Sequence, residues 1–433
     1  VRDAKKWIRQ FAEQYIVSFK MQLRERELFK RNNLPGGLFA SFFLTCPGYK
    51  YLGFKDVTEK LGDPAFVDGM KSRIDKNQDP PDENWEKGFR SEIHAMILLA
   101  DDDQNRMGCA AKLILEEIDI FSRVCCVEYG NAIRNKYNDG LEHFGYVDGI
   151  SQPLFLKDEV EEFHTFHNSK DNGRHFDPSA DPDLVLVPDP FANVPEAYGS
   201  YFVFRKLEQD VKGFKKAEKV AGKIMFPQDR DEDKREIIGA MIIGRYEDGT
   251  PVVIDNEEGM IGSGNYNNFN YKNDLSGARC PYFAHIRKVN PRNDINPQDD
   301  HRSHRIARRG IPYGYRNVDT ALEPVDLQFP DSGVGLLFMC FQKSIIRQFE
   351  FIQQNWANNQ KFPRANTSEA INSGVDLIIG QPHKKPPGEY KFPLPYGTST
   401  TIPISMKQFV AMRGGEYFFA PSIPFLHSLN ENQ

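Results

Sequence analysis

The apolar residues of this chain come in runs no longer than a β-strand. The longest, Gly36–Cys46 and Gly335–Phe341, can cross a sheet. Neither approaches the roughly 20 apolar residues of a membrane helix, so no transmembrane segment is expected. LFASFFLTC (38–46), SEIHAMILLA (91–100), FSRVCCVEYG (121–130), YFVFRK (201–206) and GVGLLFMCFQ (333–342) read as strands. Helical spacing lies between them. Trp7, Phe11 and Tyr15 predict an amphipathic helix running to about Arg31. NRMGCAAKLILEEI (105–118) and EIIGAMIIG (236–244) predict helices. Another is expected with Leu207, Val211, Phe214 and Val220 on one face. Ser344 is placed to cap a helix whose inner face is Ile345, Phe349, Ile352 and Trp356. Strand–helix–strand units with polar turns point to α+β layers. The polar, Pro-rich stretch from His167 to Ser200 marks a domain junction, and the pattern restarts beyond it.

With 433 residues, two or three domains are expected, and 33 phenylalanines predict aromatic cores. The formal net charge of −6 argues against a nucleic-acid binder, which presents a basic field. Six cysteines in a chain of this length form no disulfide framework, and no CxxC pair suggests zinc. Free thiols and a reducing, cytoplasmic setting are expected. P-loop, HExxH, GxSxG and GxGxxG signatures are absent.

Three segments carry candidate chemistry. EHFGYVDGISQP (142–153) holds Asp148 in a glycine turn, where an Asp-Gly pair is most often only a turn. ARCPYFAHIRKVNPR (278–292) places His285 in an apolar stretch, the setting of many satisfied core histidines. HRSHRIARRGIPYGYR (301–316) is a cationic run, a solvated face or an anion site. A carboxylate, an apolar histidine and an arginine beside a turn are also the parts of a haem peroxidase. The iron needs a neutral imidazole, the peroxide needs a base, and its developing charge needs a fixed cation.

The order and context of these segments resemble the dye-decolorising peroxidase family. The resemblance runs from about Gly36 to the C-terminus. It rests on Gly145-Tyr146-Val147-Asp148-Gly149, SYFVFRKLEQDVKGF (200–214), IIGRYEDGTPV (242–252), CPYFAHIRKVNPR (280–292), RRGIPYG (308–314), GLLFMCFQ (335–342) and GGEYFFAPS (414–422). It implies an α+β fold of two ferredoxin-like domains, of the dimeric α+β barrel type, with mainly antiparallel sheets flanked by helices. Residues 1–180 would form the N-terminal domain and contribute the GxxDG segment. Residues 181–433 would form the haem-binding domain. The resemblance further implies one haem b per chain, with His285 as iron ligand and Asp376 as the carboxylate receiving its imidazole proton. Asp148 would be the distal acid–base and Arg308 the distal arginine, also able to meet a haem propionate. Leu336 and Phe338 would shape the distal pocket.

The implied reaction is reduction of hydrogen peroxide, paid back by one-electron oxidation of bulky dyes and phenolic compounds. Tyr313 is expected at the surface as an electron-entry site. His301 and His304 read as surface or propionate-edge residues, His143 borders the GxxDG turn, and Arg309 is an alternative to Arg308. Gly310 stands where some relatives carry a polar residue. The alternatives are a haem-handling or haem-storage protein with little turnover, and a non-haem metal hydrolase using His143, Asp148 and His285.

Overall fold

The computed structural model describes residues 1–170, 176–228, 233–255, 259, 266–292, 301–315, 329–363, 373–381 and 388–429. Two helices open the chain, α1 (Arg2–Tyr15) and α2 (Phe19–Asn32). The sequence predicted one. Ile16 turns extended, and the Ser18 hydroxyl accepts from the Met21 amide, so a second N-terminus starts there.

Strands β1 (Phe39–Leu44) and β2 (Ala95–Ala100) follow, then α3 (Gln104–Ile118). The strand expected at 121–130 does not form. Arg123 is held by Ser91 and Glu128 by Lys206, while Val124 and Val127 stay exposed, so the apolar run has no face to bury. Only Gly130 makes an isolated bridge, to Tyr313.

The second half contributes β3 (Tyr198–Gln209), α4 (Val211–Met225), α5 (Asp233–Ile243), α6 (His285–Val289), β4 (Ala307–Arg308), β5 (Ile311–Tyr313), β6 (Gly335–Gln342) and β7 (Val410–Ala420). Asp210 caps α4 through the Gly213 amide at 2.7 Å. Leu207 therefore belongs to β3, and the buried helix face runs through Val211, Phe214, Glu218, Ala221 and Met225, leaving Val220 exposed. Phe349, Ile352 and Trp356 are buried as expected, but on a short helix that widens into a π-helix at Ile352–Ala357. The Asp63 carboxylate, rather than Ser344 alone, organises its approach. It accepts from the Ser344 hydroxyl at 2.7 Å and the Ile345 amide at 2.9 Å.

One eight-stranded sheet dominates, in the order β2-β1-β7-β3-β6-β4, with β5 also on β6 and Val187–Pro188 on β3. Its pairings are antiparallel. The fold is thus α+β, with ferredoxin-like antiparallel sheets flanked by helices. Central strand β3 is buried almost throughout, Tyr201–Phe204 by aromatic and aliphatic packing, and Arg205 and Lys206 through their partners Asp79 and Glu86. Phe43 and Phe202 lie 4.3 Å apart, and Phe202 and Phe341 4.8 Å, so the phenylalanines tie β1, β3 and β6 into one core. Edge strands β4 and β5 bring Arg308 beside the 142–153 loop.

Candidate active site

The loop carrying Asp148 is shaped by the half-buried carboxylate of Glu142. It accepts the amides of Phe144 at 2.8 Å and Tyr146 at 2.9 Å, and a hydrogen bond from the Gln209 amide. The tight turn needs Gly145, whose φ of 108° is open to glycine but strained for other residues. The Asp148 amide then donates to Gly140 O and that of Val147 to Glu247 O. Ser151 anchors the far end by donating to Asn267 Oδ1 at 2.6 Å, an oxygen that also accepts from the buried guanidinium of Arg292.

Arg308 lies 160 residues away in sequence, yet its Nη1 donates to Asp148 Oδ1 at 2.6 Å. Gln152, in the loop of Asp148, grips the Arg308 backbone in both senses. Its Oε1 accepts the Arg308 amide at 3.1 Å, and its Nε2 donates to the Arg308 carbonyl at 3.2 Å. Burial pushes the Asp148 carboxyl up, but the Arg308 charge and hydrogen bond and the Gly149 amide outweigh it, so it is held below the usual aspartate range. His285 adds a smaller lowering of its own, which places the imidazole within the electrostatic reach of Asp148.

His285 opens α6. Its Nδ1 lies 2.8 Å from Asp376 Oδ2, whose side chain is fully buried. Burial raises the Asp376 carboxyl, and the His285 contact together with the Ile378 and Ile379 amides lowers it further than that. Asp376 is therefore a carboxylate, and Nδ1 is the donor. In the neutral imidazole this leaves the Nε2 lone pair without a partner among the described residues. The ring is partly open while its partner is sealed. That donor set suits an iron-bound haem: a neutral, carboxylate-backed imidazole, with a base–cation pair within its field.

The other expected residues fall as follows. Leu336 and Phe338 alternate on β6 with buried Leu337 and Met339, and are themselves half-buried. A side chain at Gly310 would meet Leu336 at 3.4 Å. Of the adjacent arginines, Arg309 turns its guanidinium to the Arg308 carbonyl. His304 stacks on Phe351 at 3.7 Å and contacts Arg347 O. His143 Nε2 lies 2.8 Å from Tyr313 O, a carbonyl that requires the nitrogen to donate rather than ligate. No group of three or more metal-ligating side chains occurs among the described residues.

Tyr313 is a correction. Its side chain is 6% exposed, because β5 pairs with β6 and the Lys206 ammonium covers the ring at 4.8 Å from its centroid. A surface position does not hold for it. Sequence reasoning passed over Glu142, Gln152 and Lys288. The first two lie within 142–153, on either side of the GxxDG turn, and only their hydrogen bonds distinguish them from solvated polar residues.

The chain resembles known proteins along nearly its whole length. A family model described as "Dyp-type peroxidase, C-terminal" matches residues 177–374. The multifunctional dye peroxidase DyP2 of an Amycolatopsis species is 39% identical, over 95% of this chain and 86% of that protein. The dye-decolorizing peroxidase msp1 of Mycetinis scorodonius is 30% identical, over 88% and 74% respectively. Among solved structures, an Anabaena DyP-type peroxidase superposes with a TM-score of 0.86 at 38% identity, covering 98% of this chain and 87% of its own. These similarities, together with the carboxylate–arginine and histidine–carboxylate pairs, show that the chain belongs to the DyP-type peroxidase family.

Proposed function

We propose that this protein is a haem peroxidase that reduces hydrogen peroxide and draws electrons singly from bulky dyes and phenolic compounds. The reading is carried by the 2.6 Å Asp148–Arg308 contact within the electrostatic reach of a histidine backed by a buried carboxylate. One haem b per chain would be held by His285 Nε2, and when bound it supplies the electrons that cleave the O–O bond. Asp148 accepts a proton from peroxide at its carboxylate and returns it to the departing oxygen, which leaves as water. Arg308 holds the peroxide anion and the charge that grows on it, and its fixed protonation suits that task. Asp376 holds the Nδ1 proton and so keeps the Nε2 lone pair directed outward.

The domain division near residue 180, the pocket roles of Leu336 and Phe338, and a cytoplasmic location belong to the same proposal. None of the six cysteines is in a disulfide, which is in keeping with a reducing compartment. An intact base–cation pair is unnecessary for haem storage and favours turnover. Among the described residues, no helix is long and apolar enough to cross a membrane.

The test is a visible spectrum of protein produced with ample haem supply, with and without peroxide. Wild type should show a Soret band that peroxide shifts, and His285→Ala should lose most of the haem or alter the band. A normal spectrum in His285→Ala would refute the ligand assignment.

A further inference from the structure

Lys288 follows His285 by one turn of α6 and is completely buried. No acidic side chain lies within ion-pair distance of it among the described residues. Its ammonium instead donates to the backbone carbonyls of Asn359 at 2.7 Å, Trp356 at 3.5 Å and Phe362. Those carbonyls belong to the π-helix and the turn that follows it. The π-helix also holds Asp376, whose amide donates to Ala357 O at 2.8 Å. A closed circuit results: α6 reaches Asp376 through His285, Asp376 reaches the π-helix through its amide, and the π-helix returns to α6 through Lys288. A buried cation costs far more than an apolar side chain of the same length. Burial pushes Lys288 down to about 7, and the Asp376 carboxylate acts in the opposite direction. The Lys288 ammonium and the Asp376 amide are held by consecutive carbonyls, those of Trp356 and Ala357, so the two residues meet at one end of the π-helix.

We infer that Lys288 is a positioning residue for the His285–Asp376 pair, and that its ammonium restrains how strongly Asp376 draws the imidazole proton. This rests on His285 being the iron ligand proposed above. A more basic carboxylate makes the imidazole more anionic and favours the ferric state. A cation near that carboxylate works against this. Charge and mere packing then have opposite signatures. Removing the charge strengthens the pull of Asp376 and lowers the ferric/ferrous midpoint potential. Loosening the circuit weakens the His285–Asp376 bond and raises it.

The experiment is potentiometric titration of the haem-loaded protein at about pH 5, where the ammonium is protonated. Lys288→Gln keeps hydrogen-bond donors and removes the charge, and Lys288→Met removes both. Both should shift the midpoint to more negative values, while Lys288→Arg should stay near wild type. In an Asp376→Asn background the Lys288→Gln shift should vanish. A positive shift, no shift, or an equal shift with Asp376→Asn present would overturn the inference. So would loss of haem from both neutral variants with Lys288→Arg retaining it, since the charge would then serve assembly. A wild-type protein without a Soret band would instead overturn the haem reading beneath it.

Discussion

The carboxylate of Asp148 is subject to opposed effects: burial that raises its proton affinity, and the Arg308 guanidinium that lowers it. Arg308 wins, so the folded pKa lies below the roughly 3.9 of an unfolded aspartate. The sign follows from linkage. The stability this group contributes is present above the unfolded value and is lost as pH falls through the folded one. As a base it therefore stays deprotonated in mildly acidic solution, where a distal histidine would already be protonated. Dye oxidation is expected to be best at acidic pH. Asp148→Asn should slow the reaction with peroxide by at least about 100-fold, within the range of a general base. Arg308→Leu should be at least as damaging and should also move the acidic limb of the rate profile to higher pH, because the main counterweight to burial is then gone. Stopped-flow spectra against pH check both. Wild-type rates in Asp148→Asn would assign the proton transfer to water under Arg308.

The loop 142–153 is the element that assembles the distal pair. Glu142 closes its turn, Ser151 ties its end to Asn267, and Gln152 clasps the Arg308 backbone. Gln152→Ala removes two hydrogen bonds worth about 1 kcal/mol each and lets Arg308 drift from Asp148. The peroxide reaction should slow by about 10-fold, since roughly 1.4 kcal/mol is a factor of ten. An unchanged rate would show that strand pairing alone positions Arg308. Much at this scale was legible in the sequence: β1, β2, β3, β6, α3 and α5 stand where apolar period and turn residues put them. Two misreadings share a cause. The break at Ile16–Ser18 and the absent strand at 121–130 depend on where an apolar face finds cover, and local pattern carries no record of that cover.

Across the whole molecule, buried ion pairs join the two halves of the chain. Arg205 on β3 pairs with Asp79 at 3.1 Å through Nη1, and Arg73 donates from Nε to Glu350 at 2.8 Å. Residues 181–433 produced alone would keep Arg205 and Glu350 buried without these partners. A broken buried pair costs about 3–5 kcal/mol. That fragment is expected to lack a cooperative thermal transition by circular dichroism, and a sharp one would show that the halves are independent. Stability should also depend on pH through Glu236, which burial and the Glu247 and Asp248 charges push up to about 7. Its contribution is complete below the unfolded glutamate value near 4.3 and fades as pH rises through about 7. Melting temperatures of the wild type should fall by a few degrees between about pH 5 and pH 7, and Glu236→Gln should flatten that slope. A slope unchanged in the variant would assign it to other groups.

Residue chemistry at fixed spacing was open to reading from sequence alone. The Asp-Gly turn, the histidine in its apolar segment and the arginine before a Pro-Tyr turn are local features, and their order identified the family. Only the tertiary structure decided which groups meet. Asp148 pairs with Arg308 rather than Arg309 because Gln152 and β6 fix that backbone, and Asp376 reaches His285 because the π-helix carries it there. Tyr313 lies beneath Lys206 because β5 pairs inward with β6. Burial and through-space pairing are properties of chain segments distant in sequence, so they are settled only when the sheet closes.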